Sequence, residues 1–193
     1  MRHLSTTPID DLRREHVNMR SVLMVVAEQM DKLEKMDATD SVLLANALYY
    51  MRNFPGHVHH PKEDLIFDRL AHADAAWKAE VDKVRAQHQE IYALEEGLIK
   101  SISEGPPPDS EDSTELLAQG RRYLQLQRQH SETEERMLFP EALATLKPRD
   151  WVAMAGQIER VDDPLFGRQV ATRYRLLYEH IMHEATRGLR ATR

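Results

Sequence analysis

Cysteine is absent from the 193 residues of this chain, and glycine is scarce, with only seven residues. The absence of cysteine excludes disulfide bonds, thiolate zinc sites, iron–sulfur clusters and cysteine nucleophiles. Few glycines and sparse β-branched residues favour helices over strands. We therefore expect an all-α protein, and the ten histidines are its unusual feature.

Long hydrophobic runs are absent as well. No apolar run approaches the length of a membrane span, and no apolar signal-peptide core follows the first residues. The net charge is −6 with acidic and basic residues mixed along the chain, so no general nucleic-acid surface is expected. We expect a cytoplasmic protein whose partners include neither a membrane nor nucleic acid.

Apolar residues recur every three or four positions, which is the pattern of amphipathic helices. Four such stripes run over residues 12–33, 44–70, 77–98 and 116–137. A proline-rich linker at 105–108 is short enough to join neighbouring helices. Prolines predict a kink or break between Phe54 and Pro61 and an end of the last stripe near Pro140. Residues 1–146 are thus predicted to form an antiparallel up-down-up-down four-helix bundle.

The remaining residues, 147–193, are predicted to form a C-terminal helical extension packed on the bundle. A short helix is expected to begin at Pro148 and to end before the Asp162–Pro164 segment. An amphipathic helix is expected from Val170 to Leu189.

Each of the four bundle stripes carries one histidine where an apolar residue is expected, and two of them continue as His-x-x-x-Glu. These residues are His16, His59, Glu63, His88, His130 and Glu134. A spacing of four places an imidazole and a carboxylate on one helix face. Two such helices that face each other could hold a pair of divalent ions, and mixed imidazole and carboxylate ligation suits iron, zinc, manganese or nickel.

A single histidine on an apolar face is more often a hydrogen-bonded core residue than a ligand. His180-x-x-x-Glu184 shows the same spacing without a matching partner helix, so we interpret it, together with His183, as surface or packing residues. The metal interpretation depends on the coincidence of four stripes, because two buried carboxylates without a cation would each cost several kcal/mol.

Longer motifs surround these residues: DLRREH at 11–16, FPGHVHHPKED at 54–64 and HSETEERMLFP at 130–140. With these motifs the chain resembles the hemerythrin-like, or HHE cation-binding, proteins over residues 9–144. The resemblance implies a four-helix bundle with a non-haem di-iron centre bridged by two carboxylates and an oxo or hydroxo group. It implies that Glu63 and Glu134 bridge the two iron ions and that the four stripe histidines are terminal ligands.

The third stripe departs from the pattern of the oxygen-carrying members, which have His-x-x-x-His there, whereas this chain has His88 and then Tyr92. Either His60 supplies the missing imidazole from the second stripe, or the position is open. Adjacent residues on a regular helix point about 100° apart, so His60 reaches the site only if Pro61 kinks the helix. We include His60 among the predicted ligands and expect Tyr92 to line the same cavity. Tyr123 and Gln127 share the fourth stripe and are candidates for residues that hold the ligands in place.

The predicted function is binding of two iron ions and binding of, sensing of, or reaction with dioxygen, nitric oxide or peroxide. We expect a binding or sensing protein rather than a turnover enzyme and predict no catalytic residue. One alternative is an iron-handling, ferroxidase-like enzyme, although the Glu-x-x-His motif of ferritin-like sites is missing. A second alternative is a regulatory bundle that binds a protein partner, and a homodimer is left open.

Overall fold

The computed structural model describes residues 7–104, 114–158 and 161–191, so the proline-rich linker at 105–108 lies outside the described residues. Within the described ranges the chain is helical: α1 (Pro8–Glu34), α2 (Ser41–Asn53), α3 (His60–Ala73), α4 (Lys78–Glu104), α5 (Thr114–Thr133), α6 (Phe139–Thr145), α7 (Pro148–Ala155) and α8 (Arg175–Ala191). Two π-helical segments, Pro55–His59 and Glu134–Leu138, join α2 to α3 and α5 to α6. Among these helices, none combines the length and apolarity that crossing a bilayer requires.

Side-chain caps fix the beginnings of the first two helices. Thr7 and Asp10 form a capping box before α1, in which each side chain accepts a hydrogen bond from the other residue's backbone N–H. Met36, in the left-handed region with φ of 57°, follows the end of α1. The Asp40 carboxylate caps α2. The short connection makes α1 and α2 antiparallel neighbours.

The bundle is a square of four long helical units, which confirms the predicted all-α bundle. α1 packs against α2 and α5, and α4 packs against the same two helices on the opposite side. The second unit continues from α2 into α3, and the fourth from α5 into α6. Gly120 allows the close approach of α5 to α1, since a Cβ atom there would clash with the Met30 side chain.

Two hydrophobic clusters fill the bundle, and a polar layer separates them. On α1, Leu12 belongs to one cluster and Met19 to the other, with His16 between them. The same order holds on α4, where His88 lies between Val84 and Ile91. The helices therefore place their histidines at one level of the bundle, with apolar side chains above and below.

The C-terminal residues pack on the outside of this bundle. Met154 of α7 joins the hydrophobic cluster that includes Leu12. Leu177 and Ile181 of α8 join the other cluster, where α8 lies against α1 and α2. His180 forms a hydrogen bond with Glu28 of α1, with 2.8 Å between His180 Nε2 and the carboxylate, and so serves this packing.

Two boundaries predicted from the sequence are wrong. The fourth helical unit does not end near Pro140, because the Phe139 N–H bonds to the Glu134 carbonyl five residues back and α6 continues to Thr145. The last helix begins at Arg175 rather than Val170. Val170 precedes the helix and still packs against the core. Its apolar side chain therefore reflects this contact and not a helical conformation.

Candidate metal centre

The Pro55–His59 segment explains how two adjacent histidines both face the core. Pro61 has no N–H to donate, and the preceding residue, His60, donates to the carbonyl of Pro55, five residues back. A π-helical turn inserts one extra residue and changes the phase of the helix. As a result, His59 and His60 are 0% and 5% exposed, respectively. The kink expected from the prolines is therefore a π segment.

All seven predicted ligands lie in the polar layer, and none is more than 5% exposed: His16, His59, His60, Glu63, His88, His130 and Glu134. The positions of the donor atoms divide the histidines into two groups, although the rings of His59 and His60 also touch, with centroids 5.7 Å apart. His16 and His59 have ring centroids 4.8 Å apart and form what we call the two-histidine half. His60, His88 and His130 form the three-histidine half.

Glu63 lies between the two halves and presents one carboxylate oxygen to each. Its Oε1 atom is 3.0 Å from His59 Nε2 and 3.4 Å from His16 Nε2. Its Oε2 atom is 3.6 Å from His88 Nε2.

Glu134 repeats this arrangement from the opposite helical unit. Its Oε2 atom is 3.4 Å from His16 Nε2. Its Oε1 atom is 3.3 Å from His130 Nε2 and 3.8 Å from His88 Nε2. Each carboxylate thus presents different oxygens to the two halves, as a ligand shared by two metal ions would.

The donor atoms of the polar layer have no hydrogen-bond partners. This holds for the Nε2 atoms of all five histidines and for both carboxylate oxygens of Glu63 and Glu134. Several of the distances between them are short, but the atoms are not aligned for hydrogen bonds. Buried polar atoms are rarely left in this state because each unpartnered group costs free energy. A convergent set of imidazole nitrogens and carboxylate oxygens fits first-row metal ions such as iron.

The pKa values of the polar layer also indicate a site for positive charge. Burial lowers the pKa of His16, but the carboxylates of Glu134, Glu135 and Glu63 outweigh this and raise it to about 11. Burial raises the pKa of Glu63, but the charge of His59 and the neighbouring imidazoles hold it well below its usual value. The layer thus contains buried negative charge that either protons on imidazoles or metal ions can balance. Metal binding would displace those protons.

Hydrogen bonds at the outer edge of the layer orient three of the imidazoles. Each uses its Nδ1 atom, and the partners are Glu135 for His16 at 3.0 Å, Glu15 for His59 at 2.7 Å and Gln87 for His130 at 3.4 Å. An oxygen acceptor at Nδ1 places the ring proton there and leaves the Nε2 lone pair facing the layer. His88 has the Asp64 carboxylate 3.3 Å from its Nδ1 atom.

Sequence reasoning missed Glu15, Glu135 and Gln87 as partners of the histidines. Each is next to a predicted ligand in the chain, yet each contacts a histidine on a different helical unit. Spacing along one helix cannot show such a contact. Their only sequence signal is that they adjoin a predicted ligand.

Three further residues were expected at the site, but each forms a hydrogen bond outside the polar layer. Tyr92 bonds to the exposed His57, with 2.8 Å between the hydroxyl and Nε2. The Tyr123 hydroxyl donates to Glu95, and Gln127 donates to that hydroxyl. Residues at helical spacing from a ligand share its face, but the direction of each side chain is decided by the partner it finds there.

A family model described as the hemerythrin HHE cation binding domain matches residues 7–142. This match includes all seven residues of the polar layer and most of the chain. No curated protein and no solved structure matches the chain. The bundle, its buried histidines and glutamates, and the extent of the match lead to one conclusion: the chain belongs to the hemerythrin HHE cation-binding domain family.

Proposed function

We propose that the polar layer holds two iron ions and that this centre binds, senses or reacts with dioxygen, nitric oxide or peroxide. One observation carries the proposal: Glu63 and Glu134 each present one oxygen to the two-histidine half and the other to the three-histidine half. Two carboxylates in this arrangement suit bridging of a metal pair. The donor set also suits zinc or manganese, and the family resemblance favours iron.

The two halves offer different numbers of protein ligands. Both receive one oxygen from each glutamate, but one adds two imidazoles and the other adds three. The two-histidine half therefore leaves more of a metal's coordination sphere free for an external ligand. When bound, iron would supply one-electron chemistry and affinity for dioxygen-type ligands.

The rest of the chain contributes positioning and protection from water. Glu15 and Glu135 orient the two imidazoles of the more open half through their Nδ1 atoms. The hydrophobic clusters above and below the layer exclude water from it. The histidines and glutamates of the layer are therefore held in place, whereas dioxygen, nitric oxide or peroxide would enter from outside the protein.

Reactivity of the reduced, iron-loaded protein tests the proposal. Protein loaded with Fe(II) without oxygen would be exposed separately to dioxygen, nitric oxide and peroxide, and absorption spectra would be recorded. We expect two iron ions per chain and a spectral change with at least one of these ligands. A reversible dioxygen adduct supports binding, and a single irreversible oxidation supports sensing.

The His180→Ala variant is the matched control, because it removes a histidine of the same spacing motif outside the layer. It should bind iron and respond as the unchanged protein does. Spectra that do not respond to any of the three ligands would contradict the proposed function. Continuous release of oxidised iron would instead favour an iron-handling enzyme.

A further inference from the structure

A hydrogen-bonded pair outside the polar layer connects α4 to the π segment that precedes His60. The Tyr92 hydroxyl is 2.8 Å from His57 Nε2, and His57 Nδ1 is 3.0 Å from the Arg52 carbonyl. A carbonyl can only accept, so His57 carries a proton on Nδ1, and Nε2 of the neutral ring accepts from the Tyr92 hydroxyl. The Arg52 guanidinium covers the Tyr92 ring at 4.7 Å. Both imidazole nitrogens of His57 and the Tyr92 hydroxyl therefore have hydrogen-bond partners.

The Tyr92 ring also lies directly on the backbone of the π segment. A Cβ atom at Gly56 would be 3.0 Å from Tyr92 Cε2, which is tighter than an ordinary van der Waals contact, so glycine lets the ring lie here without displacement. His57 is the central residue of the Pro55–His59 segment, and the segment ends at the residue before His60. Tyr92 thus holds the segment both through its ring and through its hydroxyl.

This segment decides where His60 points. The bond from the His60 N–H to the Pro55 carbonyl closes the π turn. The turn places the His60 ring 4.1 Å from that of His88, which is one helical turn before Tyr92 on α4. The His60 ring therefore stacks on α4 through His88. The contact that could position this ring also reaches α4, through Tyr92.

We propose that the Tyr92–His57 contact is a clamp that positions His60 as the fifth imidazole of the metal centre. Tyr92 acts through the π segment and not as a ligand. The proposal rests on the proposed function for its consequence in metal binding, but the clamp itself exists without metal. It assigns a role to the tyrosine that stands where a second histidine of the third helix was expected.

The first test uses metal-free protein. Hydrogen exchange at the amides of residues 58–60 would be compared between the unchanged protein, Tyr92→Phe, His57→Ala and the double variant. Loss of one hydrogen bond should speed exchange there by about two- to tenfold. The double variant should show little beyond His57→Ala, because that change already removes the contact with Tyr92 together with the bond to the Arg52 carbonyl. Tyr49→Phe is the control, since Tyr49 contacts Arg173 and not the π segment.

The second test measures Fe(II) affinity in the same variants and in His60→Ala. Tyr92→Phe should weaken binding by about two- to tenfold in the unchanged background and have no further effect when His60 is alanine. Unchanged hydrogen exchange would overturn the clamp. Faster exchange with unchanged affinity, or an equal effect of Tyr92→Phe in the His60→Ala background, would overturn its role in positioning His60. If the unchanged protein does not bind two ions, the proposed function fails, and hydrogen exchange still decides the clamp.

Discussion

Two buried polar clusters lie in the same bundle and balance their charge in different ways. In the polar layer, two glutamates lie among five imidazoles and their oxygens lack hydrogen-bond partners. In the second, which we call the Glu95 cluster, the Tyr123 hydroxyl donates to Glu95 at 3.0 Å and accepts from Gln127 at 3.2 Å. Both clusters are buried, but only the first contains several metal-ligating nitrogens.

The pKa values of Glu95 and Glu63 are shifted in opposite directions from the ordinary value. Burial raises the pKa of Glu95 to about 8, because the hydrogen bond from Tyr123 and the charge of Arg52 compensate only in part. The pKa of Glu63 is instead held well below its usual value by the surrounding imidazoles, despite complete burial. A buried carboxyl group can thus become a neutral acid or remain an ion, and only the ion requires a cation nearby.

The largest expected effect comes from removing a shared ligand. Glu63→Ala or Glu134→Ala deletes one oxygen from each half, so the metal content should fall from two ions per chain to one or none by elemental analysis. Glu95→Gln is the matched control, since it replaces a buried carboxyl in the other cluster by an amide, and it should retain two ions. Two ions per chain in both alanine variants would contradict the bridging role.

Metal removal should lower the stability of the folded chain, and this effect should depend on the polar layer and not on Glu95. A ligand that binds only the folded state adds about 2.7 kcal/mol when its free concentration is a hundredfold above Kd. We therefore expect chelation to lower Tm, measured by calorimetry, in the unchanged protein and in Glu95→Gln. The same chelation should lower Tm less in Glu63→Ala, which retains one ion or none. Equal Tm values for the metal-free and loaded unchanged protein would show that the site does not contribute to folding.

The Glu95 cluster should give the chain a pH-dependent stability. The folded-state pKa of about 8 exceeds the ordinary value of 4.5, so the folded chain binds the proton more tightly than the unfolded chain. Stability from Glu95 is fully present below pH 4.5 and is lost as the pH rises through 8, by up to about 1.4 kcal/mol per pH unit.

Denaturant unfolding of metal-free protein at pH 5 and pH 8 measures this effect. Glu95→Gln, which cannot ionise, should gain stability relative to the unchanged protein as the pH rises. A difference between the two proteins that is the same at both pH values would show that Glu95 titrates normally.

A smaller effect is expected from the outer carboxylates. Glu15→Gln weakens the acceptor that holds His59 Nδ1 at 2.7 Å, and such changes typically reduce metal affinity by about 10–100-fold. Glu28→Gln is the control on the same helix, since Glu28 pairs with His180 and not with the layer. Competition with a metal chelator measures both affinities. An equal affinity in the two variants would contradict the orienting role of Glu15.

Much of the fold follows from the sequence because periodic apolar residues and caps are local signals. Thr7 with Pro8, and Asp40 before α2, show where the first helices begin. Two predicted helix boundaries were wrong, because the proline or apolar residue on which each was based has a non-local role. Pro140 continues a helix because the preceding π segment adjusts its phase, and Val170 packs on the core from outside a helix.

For the site, the sequence predicted which residues meet but not how their other atoms are held. Each stripe carries a histidine, and two stripes continue as His-x-x-x-Glu. These spacings lie within single helices and can be seen in the sequence, so they predict a layer to which every helix contributes. The contact of Glu15 with His59 joins two helices, and no spacing encodes it. Glu95 was missed because a single buried carboxyl leaves no pattern in the sequence.

Anomalous diffraction at the iron absorption edge, from crystals of the iron-loaded protein, tests the central claim most directly. The account predicts two peaks between Glu63 and Glu134. One should lie beside His16 and His59, and the other beside the three-histidine half. A single peak, or peaks elsewhere in the bundle with none in the polar layer, would contradict it.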